Sequence, residues 1–266
     1  MTRWLVAAVA IATGGWQAAA PAPPRVRVFG IAHVTVQVTD MARAREFYGR
    51  VLGFDEDAQV PPTPHRAVYA VNQRQRLIVL DGLPADRDER LVNLAFDVDR
   101  SDMPETIDPD GHAVQFISMA GSSAPPDMTD RRLSRRILHA GLTIKDPAAA
   151  DRFYKERLGF SEIWRGGRPE GTINWINMRV PDGTDYLEYM LYPTAPPTRQ
   201  QLGSAHHVAL LVLDIQQALE TVRARTRPDD RNHRATPNIG VNNRWQLNLF
   251  DPDGTRTELM EPFTVR

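Results

Sequence analysis

The chain contains no cysteine among its 266 residues, so disulfide bonds, thiolate nucleophiles and zinc sites built on cysteine are excluded. Neither positive nor negative charge is in excess: 24% of the residues are charged, but the formal net charge is only -1 at pH 7. This balance gives no electrostatic reason to expect nucleic acid or an anionic membrane as a partner. A hydrophobic content of 42% is ordinary for a globular protein.

The N-terminus carries an apolar run that is too short to span a bilayer, which requires about 20 residues in a helix. Arg3 precedes the run WLVAAVAIAT, and small residues follow it. A basic start, a short apolar core and small residues are typical of a secretory signal peptide. We therefore expect residues 1–20 to be a signal peptide and the protein to be secreted or periplasmic. The alternative is a cytosolic protein with an apolar terminus.

A long internal repeat organises the rest of the chain. The segment IAHVTVQVTDMARAREFYGRVLGF at 31–54 returns without a gap as ILHAGLTIKDPAAADRFYKERLGF at 137–160. Each copy has the alternation of a strand, an aspartate suited to a helix N-cap, a helical pattern and a terminating glycine. The phrase DPDG follows each copy, starting at Asp108 and at Asp251. Such a repeat indicates two related domains.

The domain boundaries follow from composition. Residues 21–120 form the first predicted domain, residues 121–136 a polar, proline-containing linker, and residues 137–266 the second domain. Further strand-like runs follow each repeat copy, namely RAVYAVN, RLIVLDG, LVNLAFDVD, TINWINMRV, DYLEYMLY, HHVALLVLD and RWQLNLF. The pattern predicts an α+β fold of βαβββ modules that pair into half-barrel cups.

Four strand-like segments of the second half carry one potential metal ligand each: His139, Glu188, His207 and Glu258. Two imidazoles and two carboxylates are suitable ligands for a divalent transition metal. His207 is preferred to its neighbour because it lies seven residues before an aspartate cap, as His139 does. Strand alternation turns the preceding histidine to the other face.

The first half keeps only one of these four ligands, His33. Asn93 stands at the position of the second histidine, Gln115 at that of the last carboxylate, and the strand RLIVL offers no acid. Neutral amides do not supply the charge that favours a divalent ion. The first domain is therefore predicted to be degenerate, without a complete metal site, and its second module is too short for a helix and two further strands.

Three phrases carry a family resemblance: HAGLTIKD, FYKERLGF and DPDG followed by Glu-Leu. Together they resemble the vicinal oxygen chelate superfamily, which includes glyoxalase I, bleomycin-binding proteins and type I extradiol dioxygenases, over Val26 to Pro262. The resemblance implies tandem domains of paired βαβββ modules with one divalent metal ion, zinc, nickel, iron(II) or manganese. It assigns the ligands to His139, Glu188, His207 and Glu258.

The resemblance implies two enzymatic activities on a small oxygenated organic substrate. A glyoxalase-like lyase or isomerase would use Glu188 or Glu258 for proton transfer. An extradiol dioxygenase would hold iron(II) through His139, His207 and Glu258. Four ligands favour the first activity. Thr143 departs from the glutathione-binding pattern of glyoxalase I, as Tyr192 does, and Asn248 replaces the acid–base tyrosine of extradiol enzymes. A non-enzymatic binding protein is the third alternative, and a homo-oligomer is left open.

The substrate-binding residues are predicted from strand alternation. Arg244, Gln246 and Asn248 fall on one face of RWQLNLF, the face inferred for the cup, and Asn174 comes from the strand TINWINM. Polar side chains on a concave face can bind an oxygenated ligand by hydrogen bonds. Two tryptophans of the same half, at 164 and 175, are expected to lie in the core.

Overall fold

The computed structural model describes residues 25–84, 87, 89–100, 102–122, 130–192 and 198–265. The predicted signal peptide and residues 123–129 of the predicted linker lie outside this part of the chain. No helix in the described part is both long and apolar enough to cross a lipid bilayer. Two curved sheets with helices packed against them confirm the predicted α+β class.

The N-terminal half forms a six-stranded sheet in the order β2-β3-β1-β4-β6-β5. Its elements are β1 (Val28–Gln37), α1 (Met41–Arg45) continued by a π-helical turn (Glu46–Val51), β2 (Arg66–Ala70), β3 (Arg76–Leu80), β4 (Leu91–Val98), β5 (Thr106–Ile107) and β6 (Ala113–Ile117). Within the described residues no helix connects β4 to β5, as the short second module predicts.

The C-terminal half forms an eight-stranded sheet in the order β12-β13-β14-β11-β7-β10-β9-β8. Its first module contains β7 (Ile137–Ile144), α2 (Pro147–Asp151) continued by a π-helical turn (Arg152–Arg157), β8 (Ser161–Gly166), β9 (Trp175–Arg179) and β10 (Tyr186–Leu191). After α3 (Arg199–Ala205), the second contains β11 (His207–Leu211), α4 (Ile215–Arg225), β12 (Asn238–Ile239), β13 (Arg244–Phe250) and β14 (Arg256–Thr264). Both modules are complete βαβββ units.

The ends of the repeated helices are set by the residues that the sequence marks. Asp146 accepts hydrogen bonds from the first free backbone N–H groups of α2, and Asp40 caps α1 in the same way. Gly53 and Gly159 then terminate the two helical segments with φ angles of +80°. A Cβ atom on Gly53 would also lie 2.3 Å from the carbonyl oxygen of Arg131, so no other residue fits there.

The two halves are joined by a reciprocal pair of buried hydrogen bonds. Tyr48 of the N-terminal half donates to Asp251 at 3.1 Å, and Tyr154 of the C-terminal half donates to Asp108 at 2.8 Å. Each tyrosine belongs to the repeated helical segment, and each aspartate is the first residue of a DPDG phrase. The repeat therefore folds so that each half satisfies a buried carboxylate of the other.

The two aspartates nevertheless differ in pKa because the residue four positions later differs. Burial acts to raise the pKa of Asp108, but the imidazole of His112, 2.8 Å away, outweighs it and lowers the pKa. Threonine stands in the same place after Asp251, so burial dominates there and raises the pKa to about 6. The Nε2 atom of His112 also lies 3.1 Å from that of His206, in the other half.

Replacing Asp251 by asparagine is expected to make the protein relatively more stable as the pH rises. The folded-state pKa is raised above the unfolded value, so the contribution of Asp251 to stability is present below pH 4 and is lost as the pH passes about 6. A shift of two units corresponds to about 3 kcal/mol at most. Urea unfolding should show that the free energy of unfolding of the variant, relative to that of the wild type, rises by roughly 1–3 kcal/mol between pH 4 and pH 7.

Asp108→Asn is the matched control for this experiment. Its folded-state pKa is lowered, so ionised Asp108 contributes stability that is present at neutral pH and is lost on acidification. Between pH 4 and pH 7 the stability difference between this variant and the wild type should therefore stay nearly constant, and it should shrink only below about pH 4. A gain between pH 4 and pH 7 as large as that of Asp251→Asn would contradict the assignment.

Candidate metal centre

The four predicted ligands lie on four adjacent strands in the middle of the C-terminal sheet. In the order β14, β11, β7 and β10, these strands carry Glu258, His207, His139 and Glu188. Small residues stand directly opposite the ligands across the strands: Gly141 is paired with both His207 and Glu188. The missing side chain leaves the room that the imidazole of His207 occupies.

One ligand atom from each residue lies within 4.8 Å of all the others. The Nε2 atoms of His139 and His207 are 3.0 Å apart. An oxygen of Glu258 lies 3.4 and 3.5 Å from these nitrogens, and an oxygen of Glu188 lies 3.9 and 3.6 Å from them. Ligands held at about 2.0–2.2 Å around one ion are separated by roughly 3.0–3.6 Å. The distances among the imidazoles and Glu258 fall within this range, and Glu188 lies at its upper limit from His207 and slightly beyond it from His139.

The second nitrogen of His207 contacts a backbone acceptor. Nδ1 lies 2.8 Å from the backbone oxygen of Ala205, which can only accept a hydrogen bond, so a proton on Nδ1 satisfies this contact. In that tautomer Nε2 presents its lone pair to the cluster, as histidine ligands of metal sites do. The Nη2 atom of Arg256 lies 2.8 and 3.0 Å from the two ring nitrogens. The ring of His139 is held by stacking on Tyr186, with centroids 4.6 Å apart.

The electrostatics of the cluster also suit a cation. Burial, followed by the charge of Arg256, lowers the pKa of His207 to about 3, so this imidazole is neutral at physiological pH. Burial acts to raise the pKa of Glu258, but the neighbouring imidazoles of His139 and His207 and the charge of Arg256 outweigh it and lower the pKa. Burial raises the pKa of Glu188, with a further contribution from the charge of Glu258. The lone pairs and the Glu258 charge that a divalent ion needs are thus present at neutral pH.

Two asparagines beside the carboxylates have buried oxygens without a hydrogen-bond partner. Asn177 lies opposite Glu188 on β9, and Asn248 lies opposite Glu258 on β13. The Oδ1 atom of each is fully shielded yet unpaired. Buried polar atoms are normally satisfied by protein, water or a bound ion. These oxygens, the donor set and the spacings fit one divalent metal ion.

The N-terminal sheet repeats the positions of the four ligands without their chemistry. By strand register the equivalents of His139, Glu188, His207 and Glu258 are His33, Ile78, Asn93 and Gln115. His33 and Asn93 form a hydrogen bond of 3.0 Å instead of sharing an ion. Thr35 occupies the place of Gly141, so the space for a second imidazole is also filled. The N-terminal cup therefore has one imidazole and no carboxylate at these positions.

A cavity of about 170 Å³ opens onto the carboxylates of the cluster. Its walls contain two tryptophans, two arginines, three side-chain amides, the two acids of the metal cluster and two residues of the loop before β13. The lining residues are Trp164, Arg168, Trp175, Glu188, Asn238, Gly240, Val241, Asn242, Gln246, Arg256 and Glu258. The expectation that the tryptophans lie in the core was wrong, because both are half-buried and face this cavity.

The predicted substrate-binding residues divide into two groups. Gln246 lines the cavity, whereas Arg244, Asn248 and Asn174 are not among its wall residues. Asn248 lies beneath it beside Glu258. Asn174 precedes β9, and its side chain accepts a hydrogen bond of 2.8 Å from the backbone N–H of Arg168. Asn174 thus shapes the loop that brings an arginine to the cavity.

Sequence reasoning missed both arginines of the cavity wall. Arg256 could have been found, because it lies two residues before Glu258 on one strand and side chains at this interval share a face. Arg168 comes from a loop whose path no periodicity predicts.

Two complete βαβββ modules that share one buried cluster define the class of paired-module metal-chelating proteins.

The sequence model of the Glyoxalase/Bleomycin resistance protein/Dioxygenase superfamily matches residues 30–117 and 136–259. The chain belongs to this superfamily. Both halves are matched, which confirms the resemblance found in the sequence. None of the curated protein sequences matches this chain.

Solved structures of ring-cleaving dioxygenases have a similar fold. The 2,3-dioxygenase LapB from Pseudomonas sp. KL28 has a TM-score of 0.64 and 17% identity, with 90% of this chain and 93% of that chain covered. Homoprotocatechuate 2,3-dioxygenase from Brevibacterium fuscum, in complex with 3,4-dihydroxyphenylacetate, has a TM-score of 0.64 and 19% identity, with 90% and 82% covered. The enzyme of that name from Arthrobacter globiformis gives a TM-score of 0.64 and 19% identity, with 91% and 82% covered. These likenesses establish the fold.

Proposed function

We propose that the protein is a divalent-metal-dependent lyase or isomerase that moves a proton on a small oxygenated organic substrate. The observation that carries the proposal is the convergence of two imidazoles and two carboxylates within 4.8 Å at the floor of a cavity. A divalent ion held by these residues would supply Lewis-acid polarisation of substrate oxygens there. The second carboxylate provides the proton acceptor that this chemistry requires.

The two carboxylates are suited to different roles. Glu258 lies 3.4 and 3.5 Å from the two imidazole nitrogens and forms the closed part of the cluster with them. Glu188 lies farther out, at 3.6 and 3.9 Å, and lines the cavity. A carboxylate oxygen of Glu188 takes the proton from the carbon beside a substrate carbonyl and returns it to the adjacent carbon. Burial raises the pKa of Glu188 towards the range in which a general base works well.

The proposal does not include glutathione as a cosubstrate. Thr143 and Tyr192 stand where the resemblance places the arginine and asparagine of glutathione binding. We also propose, from residues 1–20 alone, that the protein is exported, which would remove it from the cellular glutathione pool. Turnover of glyoxals as their hydrates, without an added thiol, is therefore the expected result, because water then supplies the oxygen that the product acid gains.

Glu188→Gln tests the assignment of the proton acceptor. Three ligands remain, so zinc or nickel should still bind, whereas turnover should fall by about 100-fold or more because the amide cannot accept the proton. Elemental analysis gives the metal content, and a panel of methylglyoxal, phenylglyoxal and 2-hydroxy ketones gives the activity. Unchanged kcat in a metal-loaded Glu188→Gln variant would refute the role. Tight binding without turnover across the panel would favour a sequestering protein.

The second candidate is ring cleavage of a catechol with iron(II). It is favoured by the dioxygenase structures, which cover 90% of this chain. Against it, no residue described in the cavity wall is a histidine or a tyrosine that could serve as the further acid–base group. Anaerobic loading with iron(II), followed by a catechol panel and oxygen, decides the matter. Oxygen uptake with ring-cleaved product would replace the first proposal by this one.

A further inference from the structure

The cavity above the metal cluster contains two guanidinium groups, Arg168 and Arg256, that form no salt bridge among the described residues. Arg256 is half-buried, and its Nη2 atom lies 2.8 and 3.0 Å from the ring nitrogens of His207. Its Nε atom is buried and has no hydrogen-bond partner. A guanidinium has five donors arranged to bind a carboxylate in a fork. Arg256 therefore places a guanidinium in the cavity wall next to the metal cluster, with more donors than its described contacts use.

The repeat does not require this arginine. By register Gln115 is the equivalent of Glu258, so Ala113, two residues earlier, is the equivalent of Arg256. A methyl group at the same strand position is sufficient for the fold of the N-terminal sheet. The guanidinium is present only in the half that has the metal ligands, which points to a role in that site.

Arg168 is held at the mouth of the same cavity by a structured loop. Its backbone N–H donates to the side chain of Asn174 at 2.8 Å. A Cβ atom on Gly167 would lie 2.5 Å from the backbone oxygen of Thr172 and 2.6 Å from the Asn174 side chain, so the loop closes tightly here. The chain thus uses several residues to place a second exposed positive charge beside the cavity.

The charges in the cavity favour an anion once the metal is bound. Glu188 and Glu258 balance Arg168 and Arg256, so a divalent ion leaves an excess of two positive charges. A guanidinium beside the ion opposes metal binding unless a negative group lies between them. With the metal bound and no substrate present, the cavity therefore has a net positive charge.

We propose that the substrate carries a carboxylate, which is bound by Arg256 deep in the cavity and by Arg168 at its mouth. The flat apolar part of the substrate lies against Trp164 and Trp175. This inference rests on the proposed function, which it narrows to carboxylic acids with a neighbouring oxygen. Metal and carboxylate then raise each other's affinity by the same factor, as linkage requires.

Mandelate and mandelamide are suitable probes, because they share an aromatic ring and a hydroxyl group and differ in charge. We expect mandelate to raise the zinc affinity of the wild-type protein, measured by competition with a chromophoric chelator, more than mandelamide does. Arg256→Met should reduce the ratio of the two effects by about tenfold or more, since a charge-assisted hydrogen-bond pair is lost. Arg168→Met should reduce it less. Direct coordination of mandelate to zinc is common to all the proteins and cancels in this comparison.

Arg165→Met is the matched control, because Arg165 lies on β8 next to Trp164 but pairs with Glu162 outside the cavity. It should leave the ratio unchanged. If the double variant Arg256→Met, Arg168→Met keeps the wild-type ratio of the mandelate effect to the mandelamide effect, the inference is overturned. This holds even if the zinc-loaded enzyme turns over glyoxals. If no metal binds, the proposed function fails. Loss of mandelate-induced tryptophan quenching in the metal-free double variant would still support the arginine site, and retained quenching would refute it.

Discussion

Replacement of Glu258 by glutamine is expected to lower the affinity for a divalent ion by about 100-fold or more and to abolish turnover. The amide keeps the shape of the side chain but removes the negative charge closest to both imidazoles, at 3.4 and 3.5 Å. The protein contains its own precedent, because Gln115 holds the equivalent position in the half without a metal cluster. Metal content after dialysis and zinc competition with a chelator measure the effect.

Glu220→Gln is the control for the loss of one negative charge, because Glu220 is exposed on α4 and belongs neither to the cluster nor to the cavity wall. It should bind metal as the wild type does. Thermal unfolding without metal should show that Glu258→Gln remains folded. Full metal occupancy and normal activity in the Glu258→Gln variant would contradict the ligand assignment.

Gly141→Ala is expected to have a comparable effect on metal binding, although Gly141 contributes no ligand. A Cβ atom there would lie 2.1 Å from both Cε1 and Nδ1 of His207 and 2.7 Å from the oxygen of Ala205. The imidazole must leave its place, which breaks its contact with that oxygen and moves Nε2 away from the cluster. We expect zinc affinity to fall by about 100-fold and overpacking to cost about 1–3 kcal/mol of stability.

Two further variants separate the steric cause from a general loss of stability. Gly49→Ala adds a methyl group where the nearest atom is 3.8 Å away, so it should leave metal binding unchanged. Adding His207→Ala to Gly141→Ala should restore part of the lost stability, because the colliding ring is gone while the contact with the Ala205 oxygen remains, but should not restore metal binding. Additive losses of stability in the double variant would disprove the collision.

The sequence predicted the fold well because the repeat is local and unbroken. Strand alternation and the caps at Asp40 and Asp146 fixed the start of each module, and the structure has both helices where these residues indicate. The short second module of the N-terminal half was also predicted, from the interval between Asn93 and Gln115. These features depend on spacing along the chain, which a sequence displays directly.

The sequence predicted the metal ligands of the site but not the wall of the cavity above them. Ligand positions repeat from module to module, so spacing alone predicted which four side chains the structure brings together. The cavity wall depends instead on loops that fold over the sheet, and no period governs them. Asn174 was expected on a strand that faces the cup but holds the loop of Arg168. The assignment of individual residues to substrate binding and catalysis stays a prediction.

The reciprocal tyrosine–aspartate bonds have a consequence for dissecting the protein. Cutting the chain between its halves would strand Asp251 without the hydroxyl of Tyr48 and leave the hydroxyl of Tyr154 without Asp108. Separating the halves would thus expose both polar groups, together with apolar surface, to water. The N-terminal half has no carboxylate at the positions of the metal ligands, yet it supplies the hydroxyl and the carboxylate that the C-terminal half needs to close its interior.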